Sequence, residues 1–229
     1  MPGKPITLRD AVKLLKKHYG RPLPPVTADP FELVLWENVA YLASPTRRRE
    51  AFEHLKATVG TTPAAIMAAD AGILEQVTAH GILKGTFAAK LHECARIAVN
   101  EFGGDLAAVV RRSPATAKRA LRAFPGIGEP GAEKILLFAG LQPLLAPDSN
   151  GLRVLVRVGL VEEEKSYART YVAAREVAND LPAKPGAMLE AHLLLAKHGR
   201  VLCKRGVPSC GICPLAAGCA YACGEGPRD

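Results

Sequence analysis

The chain has 229 residues, 48% of them hydrophobic and 23% charged, a composition typical of a globular protein with one large core or two small ones. Its formal net charge of +8 suits a polyanionic partner such as nucleic acid. The N-terminus has no apolar run after a basic start, and no stretch approaches the roughly 18 apolar residues of a membrane span, so we expect a cytoplasmic protein that does not enter membranes.

Helical patterns predominate along the chain and no strand pattern or internal repeat stands out, which predicts an all-α fold. Thr7 opens a capping-box-like sequence with Asp10 in place of Glu, and an apolar stripe follows it to Tyr19. Asp29 starts a second helix, apolar on most sides, that is predicted to run to Leu42. Further helices are predicted at residues 47–59, 63–69, 71–79, 87–102, 114–123, 152–158, 162–181 and 185–199.

One conspicuous charge lies in the second predicted helix. The i±3 and i±4 neighbours of Glu37 are Leu33, Val34, Ala40 and Tyr41, so its carboxyl group lies in an apolar stripe. Such surroundings favour the protonated acid. The structural alternative is a core glutamate paired with a basic side chain or a backbone group.

A glycine turn, Pro125-Gly126-Ile127-Gly128, separates two segments of helical character. Its glycines permit positive φ and leave no side chain over the turn. We therefore expect the amides of Gly126, Ile127 and Gly128 to point outward together near the start of the following helix, where they would bind an anion. Alternatively, the turn only joins two helices, as glycine hairpins do in many proteins.

A short loop, Pro147-Asp148-Ser149-Asn150, leads into the helix predicted at 152–158. An aspartate before a helix is usually an N-cap, which is the structural alternative to a chemical role for Asp148.

Five of the six cysteines follow residue 202. In a reducing compartment such a cluster argues for a metal site over disulfides, and four thiolates suit either a [4Fe-4S] cluster or a tetrahedral zinc ion. The five clustered cysteines are Cys203, Cys210, Cys213, Cys219 and Cys223, while Cys94 stands alone in a helical pattern.

The hairpin followed by Asp148 resembles the helix-hairpin-helix DNA glycosylases of the endonuclease III superfamily, and the cysteine spacing matches that family without departure. The resemblance covers roughly residues 30 to 219. It implies a two-lobed fold, with a helical domain at residues 28–142 that contains the hairpin and an iron-sulfur domain built from 1–27 and 143–229. It also implies a [4Fe-4S] cluster held by Cys203, Cys210, Cys213 and Cys219, with Cys223 outside the family's pattern. The implied partner is double-stranded DNA with a flipped-out base, and because no oligomer signal is visible we expect a monomer.

The same resemblance assigns roles to single residues. Asp148 would serve the chemistry at the sugar, with Asn150 near the same site, and Glu37 looks like the proton donor of the adenine glycosylase branch. Further DNA contacts are implied for Ile82, Leu83 and Lys84 in a wedging loop, for Leu42, for the hairpin residues Gly126, Ile127 and Gly128, and for Lys204 and Arg205 in the cysteine loop. The alternatives are core packing for Ile82 and Leu83, and a solvated surface pair for Lys204 and Arg205.

The sequence departs from the family at Pro130, where endonuclease III has the lysine that forms a Schiff base with the sugar. Proline has no amine, so we predict removal of the base by water without strand cleavage. Lys134, one turn later, could stand in and give a bifunctional glycosylase and lyase. A non-catalytic DNA-binding module is another alternative, although the presence of Asp148 argues against it. The sequence does not decide between a purine and a pyrimidine substrate.

Overall fold

The computed structural model describes residues 6–224, and every regular element within that range is a helix. The all-α fold class predicted from the sequence is confirmed. None of these helices combines the length and the apolar character needed to cross a membrane. The α-helices in chain order are α1 (Leu8–Tyr19), α2 (Pro30–Asn38), α3 (Pro45–Thr58), α4 (Pro63–Ala68), α5 (Ala71–Thr78), α6 (Lys84–Phe102), α7 (Leu106–Val110), α8 (Pro114–Arg122), α9 (Glu129–Phe138), α10 (Ser149–Val158), α11 (Tyr167–Glu176) and α12 (Pro185–Val201).

The chain folds as two compact units. One spans Pro25–Leu141 and contains α2 to α9, and the other combines the described residues up to Pro24 with those from Gln142 onward. The resemblance placed the corresponding boundaries at residues 28 and 142. We call these the hairpin unit and the cysteine unit.

Helix α2 lies at the centre of the hairpin unit, where Val34 and Leu35 are fully buried and the helix packs against α3, α6, α7 and α9. Asp29 caps its start as an N-cap, since Oδ1 accepts hydrogen bonds at 2.9 Å from the backbone amides of Phe31 and Glu32.

The end of α2 differs from the prediction. The helix stops at Asn38 instead of continuing to Leu42, because the next residues turn to meet the loop that precedes α6. The Tyr41 carbonyl accepts a hydrogen bond from the Ile82 amide at 3.2 Å. A Cβ atom on Gly81 would lie only 2.5 Å from the Tyr41 nitrogen, so this close approach requires glycine.

In the cysteine unit, α10 packs against α12, and α1 packs against α12. A Cβ atom on Gly199 of α12 would lie 2.5 Å from the Asn150 carbonyl oxygen, so glycine permits the contact at the start of α10. Thr7 caps α1 as predicted, its Oγ1 accepting from the Asp10 amide at 3.1 Å.

The helix predicted at 162–181 is shorter in the structure. It begins at Tyr167, because Ser166 caps α11 through the Arg169 amide, and the segment Val177–Asp180 forms a 3₁₀ turn. The sequence pattern also missed α7, a helix of five residues.

Candidate functional site

The hairpin between α8 and α9 is held by a buried amide side chain that the sequence analysis missed. Asn38 is 1% exposed, and its Nδ2 donates to the carbonyl oxygens of Val34 and Pro125, each at 3.1 Å. Gly126 has φ of +76°, and a Cβ atom there would lie 3.1 Å from Asn38 Oδ1. An asparagine at a core position of an apolar helix was the available signal, because a buried amide must find partners.

The outward-facing amides of the hairpin are fewer than predicted. The Ile127 amide donates to the Phe124 carbonyl at 3.2 Å and its side chain is buried, so the expectation that this amide points outward is wrong. Within residues 6–224, neither Gly126 nor Gly128 donates its amide to another residue. Gly128 is the N-cap of α9 and brings no side chain to it. An anion at this helix start would therefore meet the Gly126 and Gly128 amides.

Two exposed leucines lie on the paired loops of the hairpin unit. Leu42 is 71% exposed with φ of +53°, and Leu83 is 59% exposed with φ of +56°. They are the only non-glycine residues with positive φ in the described part of the chain. For an L-residue this backbone conformation costs about 1–2 kcal/mol, so two such residues at one place suggest that the loops are shaped for a function. Ile82 is also exposed, so the core alternative for this loop is wrong.

Lys84 follows as the first residue of α6, and its Nζ lies 3.9 Å from Glu75 Oε2. Its side chain is exposed and is therefore accessible to DNA, as the predicted contact requires.

Glu37 is paired in the structure. Its Oε2 accepts a hydrogen bond from Lys134 Nζ at 2.7 Å, and both side chains are largely buried. The two residues come from α2 and α9, which pack together. The ion pair thus joins the predicted proton donor to the amine that the sequence suggested as a possible replacement for the missing Schiff-base lysine.

Asp148 is the N-cap of α10 and carries a second interaction beyond the cap. Its Oδ1 accepts from the amides of Asn150 and Gly151 at 3.0 and 2.8 Å. Its Oδ2 lies 3.3 Å from Arg200 Nη1 of α12. One carboxylate oxygen is therefore used by the helix, while the other is oriented by a cation at the protein surface.

Beside Asp148 lies an open hollow of about 370 Å³ with four cationic side chains in its lining. Asn150 belongs to this lining, and its Oδ1 accepts from Arg153 Nη2 at 3.0 Å. Such a concentration of positive charge attracts phosphates. The cations are Arg153, Arg200, Lys204 and Arg205.

The four predicted cysteine ligands line one pocket of the cysteine unit. Within the described part of the chain, four hydrogen bonds involve their sulfur atoms. Arg157 Nη1 donates to Cys203 Sγ at 3.6 Å and the Leu215 amide donates to Cys213 Sγ at 3.4 Å. Cys213 Sγ also lies 3.5 Å from His198 Nε2, and Cys219 Sγ donates to the Arg157 carbonyl at 3.2 Å. The two N–H donors directed at sulfur suit thiolate ligands.

The environment of these thiols is apolar. Burial raises the pKa of the Cys213 and Cys219 thiols, so a bound cationic centre would be needed to hold them as thiolates. Among residues 6–224, no three His, Cys, Asp or Glu side chains converge closely enough to hold one metal ion.

The predicted residues are thus distributed over the two units. The hairpin unit carries the glycine turn, Glu37 and the wedge residues, and the cysteine unit carries Asp148, Asn150, Lys204, Arg205 and the four cysteines. Besides Asn38, the structure adds Arg153, Arg157 and Arg200, which interact with Asn150, with Cys203 and with Asp148, respectively.

Comparison with known proteins shows which of them this chain resembles. No family model matches it. Endonuclease III of Rickettsia conorii is 31% identical over 103 residues, which are 45% of this chain and 46% of that protein. Adenine DNA glycosylase of Schizosaccharomyces pombe is 30% identical over 108 residues, 46% of this chain and 23% of that protein. The matched part is therefore less than half of each curated relative.

Similarity in structure extends along almost the whole chain. A solved non-covalent complex of endonuclease III with DNA superposes with a TM-score of 0.76 at 20% identity, covering 95% of this chain and 96% of that chain. The chain therefore has the fold of endonuclease III, and over less than half of its length it is similar in sequence to endonuclease III and to adenine DNA glycosylase.

Proposed function

We propose that the protein is a DNA glycosylase of base excision repair that hydrolyses the N-glycosidic bond of a damaged or mismatched base in double-stranded DNA. The observation that carries this proposal is Asp148. Its carboxylate is held at the start of α10 by two amides and by Arg200, at the edge of a hollow that contains four cations. A structural cap needs neither the second cation nor the hollow, whereas cations beside a carboxylate would bring DNA phosphates to it.

The chemistry follows from the charges that develop as the bond breaks. Positive charge grows on the sugar and is stabilised by the Asp148 carboxylate, while negative charge grows on the departing base, which has to be protonated. The proton comes from the Glu37 and Lys134 pair, whose facing atoms are 2.7 Å apart and can pass a proton between them. Water then forms a C–O bond to the sugar cation and releases a proton to solvent, which replaces the proton that the Glu37 and Lys134 pair gave to the base.

Access to the bond requires that the target nucleotide leave the base stack. Leu42 and Leu83 present exposed apolar side chains that can fill the gap in the duplex while the base lies outside the stack. The Gly126 and Gly128 amides would hold a phosphate of the same backbone. The substrate is therefore a duplex in which one nucleotide is flipped out.

The proposed reaction stops at an abasic site. Pro130 is the second residue of α9 and has no amine to form a Schiff base, and its fixed φ suits the first turn of a helix. A bifunctional glycosylase and lyase is the second candidate, because the Lys134 amine lies next to Glu37. In the free protein this amine is bound to the carboxylate, which favours the monofunctional reaction.

A panel of duplexes tests both candidates. Each duplex would carry one lesion or mismatch, including uracil, thymine opposite guanine, adenine opposite 8-oxoguanine, hypoxanthine, an alkylated purine and an oxidised pyrimidine. We expect strand cleavage only after hot alkali, since the product is an intact strand with an abasic site. Borohydride should trap no covalent complex, because no Schiff base forms.

Cleavage without alkali would contradict the monofunctional reaction, and its loss in Lys134→Gln would assign the lyase to Lys134. A protein that binds these duplexes and cleaves none of them would be a DNA-binding module.

We also propose that Cys203, Cys210, Cys213 and Cys219 hold a [4Fe-4S] cluster. The spacing of these cysteines, which resembles that of endonuclease III, supports this group over a single zinc ion, while their shared pocket and the hydrogen bonds to their sulfur atoms suit thiolate ligands of either metal group. When bound, the cluster supplies structural order to the loop that carries Lys204 and Arg205. Arg157 prepares that loop by donating to the carbonyl oxygens of both residues, from Nη1 to Lys204 and from Nη2 to Arg205.

If the four cysteines hold a [4Fe-4S] cluster, the purified protein should contain iron and sulfide. The wild type should be brown and contain the iron and acid-labile sulfide of one cluster per chain, and Cys210→Ser should lose most of both. Cys223→Ser is the matched control, because Cys223 is exposed and lies outside the four-cysteine pattern, and it should keep the wild-type iron content. Stoichiometric zinc without iron would contradict the proposal.

A further inference from the structure

The start of α3 carries charge of the wrong sign for a helix. Arg47, Arg48 and Arg49 occupy its first turn and a half, and no acidic residue lies in the first turn. A helix N-terminus is the positive end of the helix dipole, so cations here lower helix stability. Ser44 caps the helix by accepting from the Arg47 amide at 3.3 Å, but this bond leaves the charges uncompensated.

Other residues do not neutralise these arginines. In the part of the chain that the structure describes, no carboxylate forms an ion pair with Arg47 or Arg49, and both are exposed. Arg48 lies over the ring of Trp36, with Cζ 5.9 Å from the ring centroid, which holds its stem against α2. The result is an exposed face of positive charge that reduces the stability of its own helix.

This face adjoins the exposed leucines. Leu42 lies two residues before the cap of α3, on the loop that the Ile82 amide joins to the Leu83 loop. Tyr41 of the same loop stacks on Phe87, with ring centroids 4.7 Å apart and planes at 13°. Because this stacking fixes Tyr41, the exposed leucines and the positively charged start of α3 keep fixed positions relative to each other.

We propose that Arg47, Arg48 and Arg49, together the α3 arginine face, bind phosphates of the DNA backbone beside the point where the leucines enter the duplex. Apolar side chains inserted into a base stack are effective where flanking cations hold the bent backbone. Uncompensated positive charge next to an apolar wedge is complementary to duplex DNA. The inference rests on the proposed function and extends it to a phosphate contact outside the hairpin and the cysteine loop.

The test is the salt dependence of DNA binding by Arg47→Gln/Arg49→Gln. The probes are an intact duplex and the same duplex with an uncleavable abasic-site analogue. The slope of log Kd against log salt concentration should fall by about 2, since each lost phosphate contact removes about one unit. The thermal midpoint should be unchanged or higher, because two cations leave the positive end of α3.

Two controls make the result specific. Lys56→Gln/Arg96→Gln removes the same amount of charge from the last turn of α3 and from α6, and its slope should stay close to that of the wild type. Arg47→Lys/Arg49→Lys should restore the slope. A wild-type slope in the glutamine variant, or an equal loss in the control, would overturn this inference alone. A wild type that binds neither duplex would overturn the proposed function as well.

Discussion

Replacing Asp148 with asparagine should lower the rate of base excision by about a thousandfold, because the charge that stabilises the sugar cation is lost. DNA affinity should be unchanged or slightly higher, since one negative charge near the phosphates has been removed and Arg200 is free to bind them. Single-turnover excision and binding to the uncleavable abasic duplex measure the two quantities separately.

Asparagine is the informative substitution because it is as good an N-cap as aspartate. The fold of α10 should therefore survive, and circular dichroism and the thermal midpoint should stay close to the wild-type values. Asp29→Asn is the matched control, because Asp29 caps α2 with the same pattern of two amide contacts, at 2.9 Å each. This variant should keep full activity.

A catalytic role and a purely structural role of Asp148 predict different outcomes. If Asp148 were only a cap, the two asparagine variants would behave alike, and both would stay active. Parallel loss of activity and DNA affinity in Asp148→Asn would show that the carboxylate supports the fold beyond its role as a cap, and would remove the observation on which the proposed function rests.

The helix starts could be predicted because they depend on local chemistry. Thr7 and Asp29 accept hydrogen bonds from amides two or three residues later, and a proline often follows the cap, so a short sequence carries the signal. The four cysteines could be selected because their spacing resembles that of endonuclease III, and the spacing of ligands within one loop is itself local information. In the structure, all four cysteines line one pocket.

The features that could not be predicted from the sequence depend on contacts between residues that are far apart along the chain. Glu37 and Lys134 are separated by 97 residues, and nothing near either residue indicates that they pair. Asn38 holds a hairpin that lies 87 residues away. The early end of α2 has the same origin, because Gly81 brings another backbone against Tyr41 where the apolar pattern alone would continue the helix.

Replacing Leu83 with glycine should lower the rate of base excision without lowering the stability of the protein. Glycine relieves the positive φ of +56°, which offsets its greater freedom in the unfolded chain, so the free energy of unfolding should stay the same or rise by about 0.5–1 kcal/mol. Excision from a fully paired duplex should fall by about tenfold or more, because the side chain that fills the gap is lost and extrusion of the base costs a few kcal/mol.

A comparison of paired and unpaired target bases identifies the reaction step that the Leu83 substitution affects. A target base in a bulge or an unpaired segment is already partly unstacked, so its excision should fall much less in Leu83→Gly than that of the paired base. Leu23→Gly is a control for the loss of an exposed leucine, since Leu23 is exposed but has no positive φ, and it should keep both rates. Equal losses on paired and unpaired targets would mean that Leu83 serves a later step than base flipping. A large drop in stability would mean that its backbone conformation is not strained, and the argument that the loop is shaped for insertion would fail.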